Sequence, residues 1–228
     1  MADAFGQMLL DGVGTEIIER DDGFVDAAML NYFAPVGEWP AVERRALRWV
    51  RGRVLDAGVG AGRAALELQR RGRSVVGIDV SPGAVEVARA RGVRDVRLLS
   101  FEEVDDSLGR FDTIVMFGNN FGLFGSPSKA KRLLGRLRPL ADRIVAGSND
   151  PHATQDPAHL AYQERNRRRN RMAGQLRLRV RYRDLSDPWF DYLIVSPEEM
   201  ATILEGTPWR IRRLLQQSGS GYYVAVLE

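Results

Sequence analysis

The chain has 228 residues, a formal net charge of +3 and no cysteine, a size suited to one well-buried domain. The absence of cysteine excludes disulfides, a thiolate nucleophile and cysteine-ligated zinc. A nearly neutral chain whose only lysines are Lys129 and Lys131 gives poor support for a nucleic-acid surface, and with no apolar run near ~18 residues and no leader pattern, no membrane partner and a cytoplasmic location are expected.

In chain order, residues 1–51 read as a helical and loop segment ahead of the first core strand. Glu19-Arg20-Asp21-Asp22-Gly23 is a polar turn, and Val25 to Phe33 is a short amphipathic segment. After Pro35, Gly37 and Pro40, a helix runs from about Val42 to Val50 with Leu47 and Val50 facing inward. Strand and helix patterns then alternate: strand 53–57, helix 62–71, strand 74–79, helix 82–91 and strand 95–99. They continue with strand 111–116, helix 127–138 and strand 142–147. Such alternation predicts a parallel sheet with helices on both faces. Pro82 in the first turn of its helix and Gly92 just past its end fit the usual asymmetry of helix ends.

Between the fifth and sixth strands lies a segment, residues 150–196, that this core does not need. It holds a helical stretch from Pro157 to Met172, then the alternating run Leu176-Arg177-Leu178-Arg179-Val180-Arg181-Tyr182-Arg183. Asp184 to Pro188 turns the chain, and Trp189 to Val195 returns as the second arm of a β-hairpin. Nine arginines fall between Arg165 and Arg183. A solvated edge that discourages strand-to-strand aggregation is favoured over an anion-binding wall, so a nucleic-acid partner is possible but not favoured. Trp209 to Leu215 and Tyr222 to Leu227 are two further strands, too close in sequence for a helical crossover, and therefore pair antiparallel.

The stretch that carries most chemistry is Asp56-Ala57-Gly58-Val59-Gly60-Ala61-Gly62, a tight glycine loop between strand 53–57 and the following helix. A strand that turns through glycines into a helix brings backbone N–H groups and a positive helix end to one point. Asp79, ending the next strand, can accept hydrogen bonds from the vicinal hydroxyls of a ribose. Together they describe a pocket for a nucleoside-bearing cofactor. A dinucleotide fingerprint would need a third glycine where Arg63 stands. The leading carboxylate, Asp56, would repel a pyrophosphate but suits a cofactor carrying an ammonium and a sulfonium.

At these residues the chain resembles the class I S-adenosylmethionine-dependent methyltransferases, whose glycine loop has the form (D/E)-x-G-x-G-x-G. The resemblance extends to Val96-Arg97-Leu98-Leu99, Phe111 to Met116 and Arg143 to Gly147 as the third, fourth and fifth strands. It implies a doubly wound α/β fold: a mostly parallel seven-stranded sheet with an antiparallel last strand, an N-terminal helical lid and a β-hairpin insertion, all in one domain, 1–228. It implies S-adenosyl-L-methionine as cofactor and S-adenosyl-L-homocysteine as product. Asp56, Gly58, Gly60, Gly62 and Arg63 would bind the methionine part, Asp79 the ribose, and Ser100 and Phe101 the adenine, with Val80 a further cofactor-binding residue. Ser100 stands where the family often has an acid. Phe117 would line the rim, and Tyr32 and Trp39 would close over the cofactor.

Methyl transfer from a sulfonium is an in-line displacement in which the protein mainly positions the reactants. Asn119 and Asn120, after the fourth strand, can orient an acceptor, and His152, after the fifth, is the candidate base. Asn119, Asn149 and Asp150 offer too few carboxylates for a magnesium site, so no metal is expected. The favoured acceptor is a small molecule. The alternatives are an RNA or protein methyltransferase using the arginine-rich hairpin, and a non-catalytic protein that binds the cofactor or its product.

Overall fold

The computed structural model describes residues 3–27 and 31–228. The N-terminal segment holds helix α1 (Ala4–Leu10), strands β1 (Ile17–Arg20) and β2 (Val25–Ala27), and helix α2 (Ala41–Ala46), which a 3-10 turn extends to Trp49. Leu47 and Val50 are buried as expected. The polar residues Asp21 to Gly23 do form a turn, but it joins two antiparallel strands rather than helical material. Of the segment expected from Val25 to Phe33, the first three residues are β2, and Ala28 to Leu30 lie outside the described residues.

The core follows the expected alternation: β3 (Arg53–Ala57), α3 (Arg63–Arg70), β4 (Ser74–Asp79), α4 (Pro82–Ala90) and β5 (Asp95–Leu98). Then come β6 (Thr113–Met116), α5 (Pro127–Leu137) and β7 (Ile144–Asn149). Residues 150–204 hold α6 (Pro157–Arg168), β8 (Gln175–Tyr182), β9 (Leu185–Ser186), β10 (Phe190–Leu193) and α7 (Pro197–Leu204), before β11 (Ile211–Gln216) and β12 (Tyr222–Leu227) close the chain. The main sheet has seven strands in the order β11-β12-β7-β6-β3-β4-β5. β3, β4, β5, β6 and β7 are mutually parallel, and β12 runs antiparallel to both β7 and β11. From β3 the chain winds first toward β5 and then back through β6 to β7, so the carboxyl ends of β3 and β6 meet at a topological switch point, where open α/β sheets bind ligands.

Both faces of this sheet are covered, as strands buried on two sides require. Leu55, Ile78, Ile114 and Met116 pack on one face with Phe121, Phe124 and Leu134. Their neighbours in sequence, Val54 and Val115, pack on the other with Leu68, Val85 and Val224. Trp209 is fully buried on the first face, and its indole N–H donates to the Leu134 carbonyl at 2.8 Å.

The insertion forms the expected hairpin, β8 with β10, but within a larger sheet. β8 is the centre of a second, antiparallel sheet of order β10-β8-β1-β2, with β9 paired to β8. Ile18 opposes Val180 and Glu19 opposes Arg179, so the N-terminal segment supplies the edge that β8 would otherwise expose. The alternation in β8 is as read: Leu178 and Val180 are buried while Arg177 and Arg181 are exposed. Its arginines are anchored, Arg179 and Arg181 to Glu19 and Arg183 to Asp11. Helix α7 was not foreseen, although Ser196-Pro197 and Glu199 form a capping box at its start.

Candidate functional site

The glycine loop leaves β3 through three residues in the left-handed region, Gly58 (φ 76°), Gly60 (φ 50°) and Gly62 (φ 80°). Two of them also need the missing side chain. A Cβ on Gly58 would lie 2.6 Å from the Asn120 amide nitrogen, and one on Gly62 would lie 2.6 Å from Val93. The loop is fixed to β4: the amides of Gly58 and Val59 both donate to the Ile78 carbonyl, at 3.0 and 2.9 Å. The Gly60 amide donates to Asp79 Oδ2 at 2.9 Å, while Asp79 Oδ1 accepts from the Ser81 amide at 3.0 Å. Asp79 therefore holds the loop in shape and keeps the remaining lone pairs of both oxygens.

Asp56 is only 3% exposed, and its Oδ2 has no hydrogen-bond partner among the described residues. Burial pushes its carboxyl up to about 7, against the pull of the Arg63 charge. Burial also raises Asp79, opposed by its backbone hydrogen bonds. An orphaned buried carboxylate oxygen beside the glycine loop fits a cationic ligand group. Arg63 itself is engaged: it is buried, forms a 2.8 Å ion pair with the fully buried Glu43 and stacks 4.4 Å over Trp39. The other Glu43 oxygen accepts from the Tyr222 hydroxyl at 2.6 Å and from the Gly118 amide at 2.8 Å. Glu43 thereby ties α2, α3, β12 and the end of β6 together beneath the loop.

Above the loop lies the N-terminal lid. Tyr32 covers Gly60, where an added Cβ would meet its ring at 3.1 Å, and it packs edge-on to Phe5 with ring centres 5.1 Å apart. Its hydroxyl donates to Glu16 Oε1 at 3.0 Å. Helix α1 is seated on α4: Asp3 accepts from the Ser81 hydroxyl at 2.8 Å and from the Gly83 amide at 2.9 Å. Asp187, from the insertion, accepts from the Ala4 amide at 2.6 Å. Trp39, expected in the lid, is instead core: it is buried against Phe117 and donates to the Ala34 carbonyl at 2.9 Å. Its place beneath Arg63 leaves no path over the cofactor loop.

The other expected residues divide. Asn120 donates to the carbonyls of Ala57 and Gly58 at 2.9 and 3.2 Å, so its amide nitrogen braces the glycine loop. Asn119, in the left-handed region at φ 72°, uses its side-chain oxygen to accept from the Asn149 amide at 2.9 Å. Both asparagines stand at the β6 end, but each is engaged with backbone. His152 is displaced from this cluster: its ring is largely exposed and lies 3.3 Å from Glu199 on α7. Its loop bends over the start of α7, so the candidate base is a surface residue. Val80 is 68% exposed beside Asp79. Ser100 caps a 3-10 turn with Glu103, and Phe101 is buried against Phe124 rather than lining an edge of the pocket. Phe117 is likewise buried. No group of three or more metal-ligating side chains occurs among the described residues.

Two further residues stand at the site. Tyr192, on β10, donates to the Asn119 carbonyl at 2.6 Å and packs on Gly122, which has no room for a Cβ. Glu16, just before β1, accepts from the Tyr32 hydroxyl and feels the charges of Asp187 and Asp79, while its own charge acts on Tyr192. Burial raises its carboxyl to about 7, eased by the Tyr32 hydrogen bond and increased by the charges of Asp187 and Asp79. Only the pairing of β1 with β8 brings them together.

A strand-glycine loop-helix unit with two acids at the switch point of this sheet defines a nucleoside-cofactor domain, and similarity to known proteins makes the class specific. Residues 54–140 match the family model described as a methyltransferase domain. The magnesium-protoporphyrin O-methyltransferase of Rhodobacter capsulatus is 42% identical over 67 residues, 28% of this chain and 30% of that protein. The ubiquinone biosynthesis O-methyltransferase of Azorhizobium caulinodans is 35% identical over 99 residues, 41% of this chain and 36% of that protein. The match thus spans about a third of the length of these curated relatives. A solved S-adenosylmethionine-dependent methyltransferase from Bacteroides fragilis, in complex with S-adenosyl-L-homocysteine, has the same fold, with a TM-score of 0.77 at 24% identity over 99% of this chain and 92% of that one. Residues 54–140 thus match a methyltransferase-domain model, and the fold built around them is that of the Bacteroides fragilis S-adenosylmethionine-dependent methyltransferase.

Proposed function

We propose that this chain is an S-adenosylmethionine-dependent methyltransferase whose acceptor is a small molecule. The observation that carries the reading is the unpartnered Asp56 oxygen, buried beside a glycine loop that Asp79 clamps from the other side. Bound S-adenosylmethionine supplies an electrophilic methyl group on a sulfonium. Asp56 would hold the ammonium of its amino-acid part, where a charge-assisted hydrogen bond also relieves the buried carboxylate. The lone pairs left on Asp79 would take the ribose hydroxyls, and exposed Val80 offers apolar surface to the adenine. Tyr32 and Phe5, held over Gly60, keep water from the loop. Asn120 and Asn119 fix the loop and the β6 end against each other, which supports in-line positioning rather than proton transfer.

The small-molecule reading draws support from two sides. The curated relatives are named for small-molecule acceptors, and the site is roofed by the N-terminal segment and by Tyr192 of the insertion. The arginines that suggested an RNA or protein track are paired within the second sheet, Arg179 and Arg181 with Glu19 and Arg165 with Asp21. Calorimetry with both forms of the cofactor, followed by a search for S-adenosyl-L-homocysteine release with small-molecule extracts, tests the reading. Micromolar binding with acceptor-dependent release is expected. Binding without release from any extract would favour the non-catalytic alternative, and no binding would remove the cofactor assignment.

A further inference from the structure

We propose that Glu16 is the ionisable residue facing the methyl-transfer position, placed to take the proton of a hydroxyl-bearing aromatic acceptor. The inference rests on the methyltransferase reading above. The space between the glycine loop and the β6 end is bordered by Tyr32 over Gly60 and by Tyr192, whose hydroxyl sits on the Asn119 carbonyl. Glu16 is bound to the first of these phenols, and its charge acts on the second. Tyr32 donates to it at 3.0 Å, and among the described residues it has no basic partner. The Tyr32 phenol is in contact with this carboxylate, and the charges of Asp187 and Asp79 reach it. One oxygen is engaged by Tyr32, and the second has no hydrogen-bond partner among the described residues.

The surroundings also set its proton affinity. Burial, with Asp187 and Asp79 adding to it, brings the carboxyl to about 7, where a general base is most effective near neutral pH. Burial and then the Glu16 charge push Tyr32 and Tyr192 above their ordinary range, so these phenols stay protonated. Two donor-bearing rings and an acceptor carboxylate suit a flat acceptor that carries its own hydroxyl. In the transfer, the acceptor O–H proton passes to the Glu16 carboxylate as the oxygen bonds to the methyl carbon. The C–S bond breaks with its electron pair returning to sulfur, and Glu16 later releases the proton to solvent.

The charge difference between the two cofactor forms gives a test that needs no known acceptor. Both would place the same amino-acid and ribose groups against Asp56 and Asp79, but only S-adenosylmethionine brings a sulfonium charge. Calorimetry at pH 7 in buffers of different ionisation enthalpy should show roughly 0.4 more protons released by S-adenosylmethionine than by S-adenosyl-L-homocysteine. Glu16→Gln should bind both and lose the excess. Equal proton counts in the wild type, or an excess that survives in Glu16→Gln, overturn the inference alone. No binding of either form removes the methyltransferase reading with it. Should Glu16→Gln fail to fold, Tyr32→Phe decides: the excess should persist and shift to higher pH, because Tyr32 lowers the carboxyl, and an unmoved profile overturns the inference. For the acceptor class, 4-nitrophenol titrated into the S-adenosyl-L-homocysteine complex should bind and ionise at lower pH in Glu16→Gln than in the wild type. Absence of binding to the wild type, or an identical ionisation, overturns that part.

Discussion

The Asp79 carboxylate accepts a hydrogen bond from the Gly60 amide at 2.9 Å, so the acid that ends β4 sets the shape of the loop that follows β3. One side chain thereby shapes the loop and offers lone pairs to a ribose. Asp79→Ala should weaken binding of both cofactor forms by about 10- to 100-fold, in line with roughly 1.5–3 kcal/mol for hydrogen bonds to a charged group. Calorimetry checks it, and unchanged affinity would count against the pocket.

Asp56 should make the ligand-free protein less stable as pH rises. Its carboxyl lies near 3.8 when unfolded and about 7 when folded, so the folded state holds the proton more tightly between those values. The contribution is fully present below the unfolded value and lost as pH climbs through the folded one. Asp56→Asn should therefore raise stability at pH 8 by on the order of 2 kcal/mol and have little effect below pH 4, while weakening binding of both cofactor forms. Denaturant unfolding across that range, without ligand, measures the first part.

Breaking the buried pair beneath the loop should be costly. Glu43→Gln leaves the Arg63 guanidinium without its 2.8 Å carboxylate partner in a site closed to water, a change worth about 3–5 kcal/mol. Urea unfolding should show a lower midpoint with an unchanged slope. A loss below about 1 kcal/mol would mean that the cluster is not needed for the fold.

The lid depends on one missing side chain. A Cβ on Gly83 would stand 2.6 Å from the Gly6 Cα, a backbone atom, so α1 must move to admit it. Gly83→Ala should free the segment ahead of α2 to proteases while the main sheet unfolds at nearly the wild-type denaturant concentration. Limited proteolysis with mass spectrometry reads the first effect, and an uncut N-terminus would show that α1 is held some other way.

The main sheet and the cofactor loop were legible because their signals are local. Glycines at 58, 60 and 62 need no partner to be read as a turn, and Val54-Leu55 or Val75-Val76 are buried runs in any context. The N-terminal lid was legible only in part. Ile17-Ile18-Glu19-Arg20 is too short and too mixed to show a strand period, and it becomes one by pairing with β8, about 160 residues later. Glu16, just ahead of β1, takes its place through the same long-range pairing, which explains why it did not stand out. Asn119, Asn120 and His152 were chosen by position in the chain, whereas the geometry gives the asparagines to backbone hydrogen bonds and the histidine to Glu199. Proximity to a strand end says where a side chain starts, not what it finds to bind.

The central claim is that Asp56 and Asp79 form the two poles of an S-adenosylmethionine pocket. A crystal structure with S-adenosyl-L-homocysteine tests it most directly. The ligand ammonium is expected within about 2.7–2.9 Å of Asp56, with the ribose hydroxyls on Asp79 and the adenine beside Val80. A ligand bound elsewhere, or one that leaves the buried Asp56 oxygen without a partner, would contradict it.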